Sequence, residues 1–366
     1  MVVCTHLQEI RKTRGVSAAD LARRVGVTRQ TIYAIEDGTF IPNTTVSLQL
    51  SRALDVTVEE IFSIEDEREP EPISADLLSS DQANEGQLVR VCRVNERVVA
   101  IPISHLPAFL PPADGIIESR KRLTVAVKSP AGLPEDGKRL LLAGCDPALS
   151  LLHDALHASG IEIISVPCSS RRALQWLKQG RVHAAGSHLL DRASGDYNVP
   201  IVRRLFPNAT VRVITFAVWE QGLVIARGNP KAIRSIADLA RHDVTLINRE
   251  KGSGSRDLLD TGLRRLGIQS EQVKGYNTVA EGHLAAAYSV AAGTADCCIA
   301  PRSASRCFGL DFVPLAVERF DLSFTPASLQ LPAAKALLDL LNHSNLRRKL
   351  QCIAGYDTAH TGDVLI

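Results

Sequence analysis

Residues 17–38 read SAADLARRVGVTRQTIYAIEDG, and this stretch determines the architecture of the N-terminal part of the chain. Apolar residues recur at helical spacing on both sides of Gly26. Each half is preceded by a residue that can cap a helix, Ser17 in the first and Thr28 in the second. Glycine tolerates the left-handed backbone of a tight turn, and Gly38 can end the second half in the same way. The pattern predicts two short helices joined by a tight turn.

Three further helices complete this part of the chain. One covers residues 7–15, a second follows the turn region and can be capped by Asn43, and a short one covers residues 58–62. Their apolar residues keep the helical spacing. We therefore predict an all-α domain of five short helices over residues 1–66.

The stretch resembles the XRE family of helix-turn-helix domains, related to phage repressors, and the resemblance covers most of residues 5–66. In that family the first turns of the third helix enter the DNA major groove. The resemblance implies double-stranded DNA as a partner, with Arg29 reading a guanine edge and Gln30 an adenine edge. It also implies phosphate contacts, which position the protein without specifying a sequence, for Ser17, Thr28, Thr31, Tyr33 and Asn43. A polar face used for protein contacts is the alternative interpretation.

The charge of the N-terminal domain predicts how it binds. Residues 1–66 hold seven Lys and Arg against nine Asp and Glu, and most of the basic residues lie in the first three helices. A segregated basic face suffices for phosphate contact but gives modest affinity per monomer. We therefore expect a homodimer on paired half-sites. The net charge of +2 for the whole chain gives no support to a general polyanion-binding role.

The composition also predicts a compartment and a size class. The chain has 366 residues, of which 45% are hydrophobic, enough for two or three domains with sizeable cores. Its 8 cysteines form no CxxC pair, and the start of the sequence lacks an apolar signal segment. No apolar run approaches membrane-spanning length. We expect a cytoplasmic protein with reduced thiols and no membrane partner.

Between the N-terminal domain and the rest of the chain the composition changes twice. Residues 67–87 begin with alternating Glu and Pro and continue as a polar stretch, which predicts a linker. Residues 88–94 and 97–101 alternate as short β-strands, and residues 122–128 are a possible third strand. The pattern predicts a small β subdomain over residues 88–137.

From residue 138 to residue 366, strands alternate with helices, which predicts a parallel sheet covered by helices on both faces, most economically in two lobes. Among other segments, EQGLVIARGNPKAI (220–233), INREKGSGSRDLLD (247–260) and GHLAAAYSVAAGTADCCIAP (282–301) resemble the periplasmic-binding-protein-like domain that follows an XRE domain in some bacterial regulators. That domain is associated with molybdate or tungstate. The resemblance implies a two-lobed, periplasmic-binding-protein type II-like fold and a small oxyanion as ligand.

Three turns at predicted helix N-termini are candidates for the ligand site, because such turns present unpaired N–H groups to an anion. Their candidate residues are Cys145, Asp146, Ser169, Ser170, Gly252, Ser253, Gly254, Ser255 and Arg256. Ser187, His188 and His283 are further residues expected to face the cleft. Ordinary strand-to-helix connections with capping serines, and packed polar residues, are the alternatives.

Other constellations give no support to catalysis or to a metal site. His153 and His157 have the spacing of a zinc-binding helix, but no third ligand is apparent. Cys297 and Cys298 are adjacent, and adjacent cysteines rarely reach disulfide geometry. There is no phosphate-binding Walker loop, nucleophile elbow or dinucleotide fingerprint. We expect no enzyme activity, no cofactor and no direct cation ligands.

The sequence therefore predicts a multidomain regulator that binds operator DNA and senses a small ligand, with molybdate or tungstate as the expected class. Two alternatives stay open. The C-terminal domain could carry molybdate for cofactor synthesis while the N-terminal domain localises it, or it could serve only to dimerise a repressor.

Overall fold

The computed structural model describes residues 2–65, 72–78, 88–102, 113–132, 137–157, 159–207 and 210–366. These residues form two compact units, residues 1–71 and residues 72–366. Over the described residues, no helix combines the length and the apolar character needed to cross a membrane.

The first unit contains the five predicted helices and, in addition, a pair of short strands. The helices are α1 (Leu7–Thr13), α2 (Ala18–Val25), α3 (Arg29–Glu36), α4 (Thr44–Leu54) and α5 (Val58–Ile61). The strands β1 (Val2–Thr5) and β2 (Phe62–Glu65) pair antiparallel and join the two ends of the unit. This pair was not predicted from the sequence.

The predicted helix caps are confirmed. The side chains of Ser17, Thr28 and Asn43 each accept a hydrogen bond from a backbone N–H in the first turn of the following helix. Gly26 ends α2 with a φ of 76°, in the left-handed region that the tight turn requires. The helices enclose a core whose fully buried members are Leu7, Leu21, Ile32, Ile35, Leu50 and Ile61.

A buried ion pair ties α1 to α3 inside this unit. Arg11 Nε lies 2.5 Å from Glu36 Oε1, and a second bond joins Arg11 Nη2 to Glu36 Oε2 at 3.0 Å. The remaining guanidinium nitrogen donates to the carbonyl of Val16 at 3.0 Å. The Glu36 side chain has 0% of its surface exposed, so its charge depends on Arg11 for compensation.

The second unit begins with a small closed β-barrel. Its strands are β3 (Ile73–Leu77), β4 (Leu88–Val94), β5 (Arg97–Pro102), β6 (Gly115–Lys121) and β7 (Thr124–Lys128). They close in the order β3-β5-β4-β6-β7. The predicted linker over 67–87 is therefore wrong for residues 73–77, which form β3. Residues 66–71 and 79–87 lie outside the described residues.

The α/β part of this unit is built on one six-stranded sheet. Its strands are β8 (Arg139–Gly144), β9 (Glu162–Pro167), β10 (Ala184–Ser187), β11 (Arg212–Ile225), β14 (Cys297–Pro301) and β15 (Asp311–Phe324). They lie in the order β14-β11-β15-β10-β8-β9. Two more strands, β12 (Asn248–Arg249) and β13 (Val279–Ala280), form a separate parallel pair.

Helices cover the sheet on both faces, as predicted, but the sheet is mixed rather than parallel: β8, β9 and β10 are parallel, whereas β15 pairs antiparallel with β10 and β11, and β11 pairs antiparallel with β14. They are α6 (Ser150–His157), α7 (Ser170–Lys178), α8 (Val199–Leu205), α9 (Gly254–Arg265), α10 (His283–Ala291), α11 (Arg302–Cys307), α12 (Pro326–Leu329), α13 (Pro332–Leu341) and α14 (Ser344–Lys349). Alternation along β8 shows why both faces are covered. Leu140 and Leu142 belong to one buried cluster, and Leu141 and Ala143 belong to the other.

Two long antiparallel strands divide this α/β part into two lobes. β11 and β15 are each 14 residues long and pair along their whole length. Lobe 1 contains β8, β9 and β10 with α6–α8 and α12–α14, and β10 pairs with one end of β15. Lobe 2 contains β12, β13 and β14 with α9–α11, and β14 pairs with the far end of β11.

Two local features of the strands bear on lobe 2. β12 is only two residues long and is preceded by Leu246 in an isolated bridge to Cys297. A β-bulge lies between Gln221 and Gly222, and β11 continues through it. Cys297 and Cys298 are both buried and unpaired, on opposite faces of β14.

The Arg11–Glu36 pair gives a stability prediction. Glu36→Gln keeps the shape but leaves the Arg11 charge without its partner, so the free energy of unfolding of the first unit should fall by about 3 kcal/mol. Hydrogen exchange of the core amides of α1–α3 in the full chain measures the change.

The matched control for this prediction is Arg23→Ala. Arg23 pairs with Asp20 at 3.2 Å, but 78% of its side chain is exposed. Its removal should cost less than about 0.5 kcal/mol, because exposed ion pairs contribute little. Equal losses in the two variants would show that the Arg11 pair has no special role.

Candidate functional site

The first turns of α3 present the side chains expected to face DNA. Arg29, Gln30 and Tyr33 are exposed there, and Thr31 is half-buried. The Arg29 guanidinium donates to the Tyr33 hydroxyl at 2.8 Å from Nη2 and at 3.1 Å from Nε. Tyr33 therefore orients Arg29, a role that sequence reasoning missed. The Thr31 hydroxyl is hydrogen-bonded to the Thr28 hydroxyl, which caps α3, at 2.8 Å.

In the second unit, the candidate ligand residues lie where the two lobes meet. Cys145 follows β8, and His188 follows β10, at the carboxyl ends of two parallel strands of lobe 1. Gly254 and His283 are the first residues of α9 and α10 in lobe 2. All four residues are buried.

A thiol and two imidazoles form the centre of this region. The ligand atoms of Cys145, His188 and His283 all lie within 4.8 Å of one another. The two imidazole rings have their centroids 5.7 Å apart. The indole of Trp219 stands edge-on to both rings, at 5.1 Å from His188 and 5.8 Å from His283. All three residues were candidates for the ligand site, but no cation ligands were expected among them.

Several buried polar atoms around this centre have no hydrogen-bond partner in the described part of the chain. They are Ser187 Oγ, His188 Nε2, Trp219 Nε1, Gln221 Oε1, Arg249 Nη1, Asp146 Oδ2 and both ring nitrogens of His283. Buried polar groups in native proteins almost always have a partner, because leaving one unsatisfied costs about 1–3 kcal/mol. Such a concentration of unsatisfied atoms indicates a binding site.

Two ion pairs set the electrostatics of the site. His188 Nδ1 lies 2.7 Å from Glu318 Oε2, and the guanidinium of Arg249, 1% exposed, pairs with Glu250 at 2.8 Å. Burial opposes the charged imidazole, but Cys145 and the Glu318 carboxylate outweigh it and raise the pKa of His188 to about 10. Burial, together with Arg249 and His188, lowers the pKa of His283 well below its usual value. Protonation is therefore favoured at His188 and disfavoured at His283.

Asp146 is the buried carboxyl of the same region. Its Oδ1 accepts from the backbone N–H of Ala148 at 2.8 Å and from the hydroxyl of Tyr356 at 2.7 Å. Desolvation raises the pKa of Asp146 to about 7. The hydroxyl of Tyr356 also contacts Ser303 Oγ at 2.8 Å, which links this carboxyl to α11.

The serine hydroxyls of the predicted turns are already engaged. Ser169 and Ser253 each accept a backbone N–H and cap α7 and α9. Ser170 Oγ accepts from the backbone N–H of His188 at 3.2 Å, and Ser255 Oγ accepts from the Gln221 amide at 2.6 Å. These hydroxyls fix the turns and orient the buried side chains beside them.

Arg256 lies in lobe 2 without joining the central group. Its guanidinium pairs with Asp260 at 3.1 Å and stacks over the Tyr276 ring at 4.0 Å. The helical pair at positions 153 and 157 is also separate from the site, since His153 Nε2 contacts Ser165 Oγ at 2.9 Å.

The two lobes touch beside the central group. A Cβ atom at Gly254 would lie 2.5 Å from the ring and from the carbonyl oxygen of His188, so only glycine permits this approach. The backbone N–H of Arg171 donates to the Gly252 carbonyl at 3.3 Å, and the Arg171 side chain pairs with Asp257 at 3.0 Å. A cleft of about 1750 Å³ opens next to this contact, with His188 and Glu318 in its lining.

Comparison with known proteins places these units in families. A family model described as a PBP superfamily domain matches residues 153–342, and one described as a helix-turn-helix matches residues 7–61. The uncharacterized protein YvgK of Bacillus subtilis (strain 168) is 33% identical over 237 residues, covering 64% of this chain and 75% of YvgK. The chain therefore belongs to the PBP superfamily domain family, with an XRE-type helix-turn-helix domain at its N-terminal end.

Two further similarities concern the separate units. The uncharacterized HTH-type transcriptional regulator YgzD of Bacillus subtilis (strain 168) is 38% identical over 61 residues, covering 17% of this chain and 92% of YgzD. Among solved structures, the sulfate-binding protein SubI from Mycobacterium tuberculosis H37Rv has a TM-score of 0.45 at 19% identity, covering 60% of this chain and 86% of SubI.

The close approach at Gly254 gives a prediction about lobe closure. In Gly254→Ala the new methyl group meets the His188 backbone across the cleft, and overpacking of this kind costs about 1–3 kcal/mol. The amides of residues 186–190 and 252–256 should therefore exchange about tenfold faster or more in hydrogen exchange.

Gly262→Ala is the matched control on the same helix. Its methyl group would meet the end of the Ile236 side chain, which belongs to the same lobe and can move aside. That variant should exchange at the wild-type rate in both segments. If Gly254→Ala also behaves as wild type, the lobes do not close in solution as the structure shows them.

Proposed function

We propose that the protein is a transcriptional regulator whose helix-turn-helix unit binds operator DNA and whose two-lobed domain binds a small anion between its lobes. The set of unpartnered buried polar atoms around His188 and His283 is the observation that carries the ligand part of the proposal. The DNA part is supported by the exposed Arg29 and Gln30 at the start of α3, and by the similarity to a relative described as an HTH-type transcriptional regulator.

Three of the unpartnered atoms are donors that need an acceptor, which favours an anion. These donors are the indole N–H of Trp219, a guanidinium N–H of Arg249 and the N–H of the neutral His283 ring. Each can only donate a hydrogen bond to an acceptor. The N-termini of α9 and α10 also attract negative charge. Hydrogen bonds to an ionised group are about twice as strong as neutral ones. Molybdate and tungstate are compact dianions. They are the proposed class because the segments 220–233, 247–260 and 282–301 resemble a domain that is associated with them.

The proposed response is a shift between open and closed lobes. A ligand held by residues of both lobes binds the closed state better, and only such a difference in affinity can shift the equilibrium. In a homodimer, closure would change the spacing of two helix-turn-helix units. The operator would then contain two half-sites separated by about one helical turn of DNA, or a multiple of it.

The reading helix is tested by single substitutions. Arg29→Ala and Gln30→Ala should each cost about 1–3 kcal/mol in specific operator binding, because each removes a bidentate contact to a base edge. Competition binding with an operator selected from a random DNA library measures the loss.

Arg52→Ala is the control for this experiment, since Arg52 is exposed on α4 and outside the reading helix. It should keep the wild-type discrimination between specific and random DNA. Wild-type discrimination in both α3 variants would mean that another surface reads the operator. Footprinting of the same complexes reveals whether one or two half-sites are covered.

The ligand site is tested with the only two tryptophans of the chain. Trp219→Phe keeps an aromatic ring in the core but removes the unpartnered N–H, and Trp176→Phe makes the same change in lobe 1, outside the central group. Loss of one hydrogen bond to a charged ligand costs about 1.5–3 kcal/mol, so Trp219→Phe should weaken anion binding about 10- to 100-fold. Trp176→Phe should bind as the wild type does.

Calorimetry with molybdate, tungstate, sulfate and phosphate measures these affinities. In Trp176→Phe, the remaining fluorescence comes from Trp219 alone and reports occupancy of the site directly. Absence of binding with all four anions would contradict the anion assignment and would favour the dimerisation alternative. Anion binding that leaves operator affinity unchanged would favour the carrier alternative.

A further inference from the structure

We infer that Cys145, His188 and His283 form a binding site for a divalent transition metal ion, with Zn²⁺ as the ion they suit best. This inference deepens the proposed function, because the metal would occupy the centre of the same ligand site. It rests on the grouping of the three side chains, on their free ligand atoms and on their distribution between the two lobes.

The spacing of the ligand atoms suits a small metal ion. In protein sites, zinc lies about 2.3 Å from sulfur and about 2.0–2.1 Å from nitrogen, which puts tetrahedral ligand atoms about 3.3–3.8 Å apart. The sulfur and the imidazole nitrogens here lie within 4.8 Å of one another. Side-chain adjustments of about 1 Å would bring them into a coordination sphere.

The nitrogens that the metal requires are available. His188 donates Nδ1–H to the Glu318 carboxylate, an arrangement that orients the ring, and its Nε2 binds the metal after releasing its proton. Nε2 has no hydrogen-bond partner among the described residues, and the same is true of both ring nitrogens of His283. Metal-bound histidines typically have such a carboxylate behind them. The Glu318–His188 pair therefore serves as the support of a ligand.

The donor set selects the type of metal. One thiol and two imidazoles suit zinc and other late first-row ions, whereas Mg²⁺ and Ca²⁺ prefer oxygen ligands. The guanidinium of Arg249 is buried nearby and disfavours a cation, but its ion pair with Glu250 compensates that charge, and Glu318 adds a second carboxylate. The site can therefore accept a divalent ion without leaving an isolated positive charge.

The position of the ligands links the metal to lobe closure. Cys145 and His188 belong to lobe 1, and His283 begins α10 in lobe 2, so the ion would bridge the lobes. Three protein ligands leave the fourth tetrahedral position open. The N–H groups of Trp219 and Arg249 have no partner in the described residues, and the Trp219 ring adjoins both imidazoles, so an anion in the open position can accept their hydrogen bonds.

The experiment uses the full chain, stripped with a chelator and reloaded with Zn²⁺ or Co²⁺. Elemental analysis after gel filtration should find one zinc per chain. Co²⁺ should give the intense charge-transfer absorption of a thiolate ligand and the visible bands of a tetrahedral ion. His283→Gln should weaken zinc binding about 100-fold, and Cys145→Ser should remove the charge-transfer band while keeping the visible bands.

Cys297→Ser provides the control, because this buried thiol of lobe 2 lies in β14, in the hydrophobic core behind the site. It should bind both metals as the wild type does. Circular dichroism verifies the fold of each variant, and if Cys145→Ser fails to fold, His283→Gln alone tests the site. A wild-type chain that binds no zinc, or a charge-transfer band that persists in Cys145→Ser, overturns the inference.

The anion experiment is repeated on the chelated and the zinc-loaded chain to separate this inference from the proposed function. Anion binding by the chelated chain with no zinc uptake overturns the metal site and leaves the regulator proposal intact. Zinc uptake that is lost in His283→Gln, without any effect of zinc or anion on operator binding, supports the metal site and contradicts the proposed sensing.

Discussion

The pairing of β11 with β15 is the interaction on which both lobes depend. These two strands run antiparallel from Arg212 opposite Phe324 to Ile225 opposite Asp311, and each lobe adds its remaining strands to one end of the pair. Trp219 and Glu318 face each other in the middle of this ribbon. The site therefore includes residues of the ribbon that joins the two lobes.

Features that depend on neighbouring residues could be predicted from the sequence better than features that depend on distant ones. Caps and glycine turns act within one turn of helix, so the ends of α2 and α3 could be predicted from Ser17, Gly26 and Thr28. β3 was missed because its strand partners β5 and β7 come later in the chain, while the residues before it are rich in Glu and Pro.

The candidate site was predictable only in part for the same reason. Cys145, His188 and His283 were named from their positions after strands or before a helix. Their meeting depends on the lobe contact, for which the sequence carries no local signal. Trp219 and Glu318 lie inside strands, where a side chain of the site cannot be told from a core residue. The segments 220–233 and 247–260 contain Gln221 and Arg249, so the resemblance held a signal for these two residues.

The predicted Gly-Ser turns illustrate how capping competes with ligand binding for the same groups. Ser169 and Ser253 satisfy helix N-termini, and Ser255 holds the Gln221 amide. A serine before a helix is therefore better evidence for a helix cap than for a ligand site. The unsatisfied atoms that mark the site belong to larger side chains, such as Trp219 and Arg249, which have no local backbone group to bind.

The energies of these contacts show how little the surface pair between the lobes contributes. The Arg171–Asp257 pair across the cleft is 56% and 41% exposed, and pairs of this kind contribute about 0–1 kcal/mol. Each buried donor without a partner costs about 1–3 kcal/mol in the closed state, and opening of the lobes lets water satisfy it. The unsatisfied atoms on Trp219, Arg249 and His283 therefore offer an occupant more free energy than the surface pair across the cleft contributes.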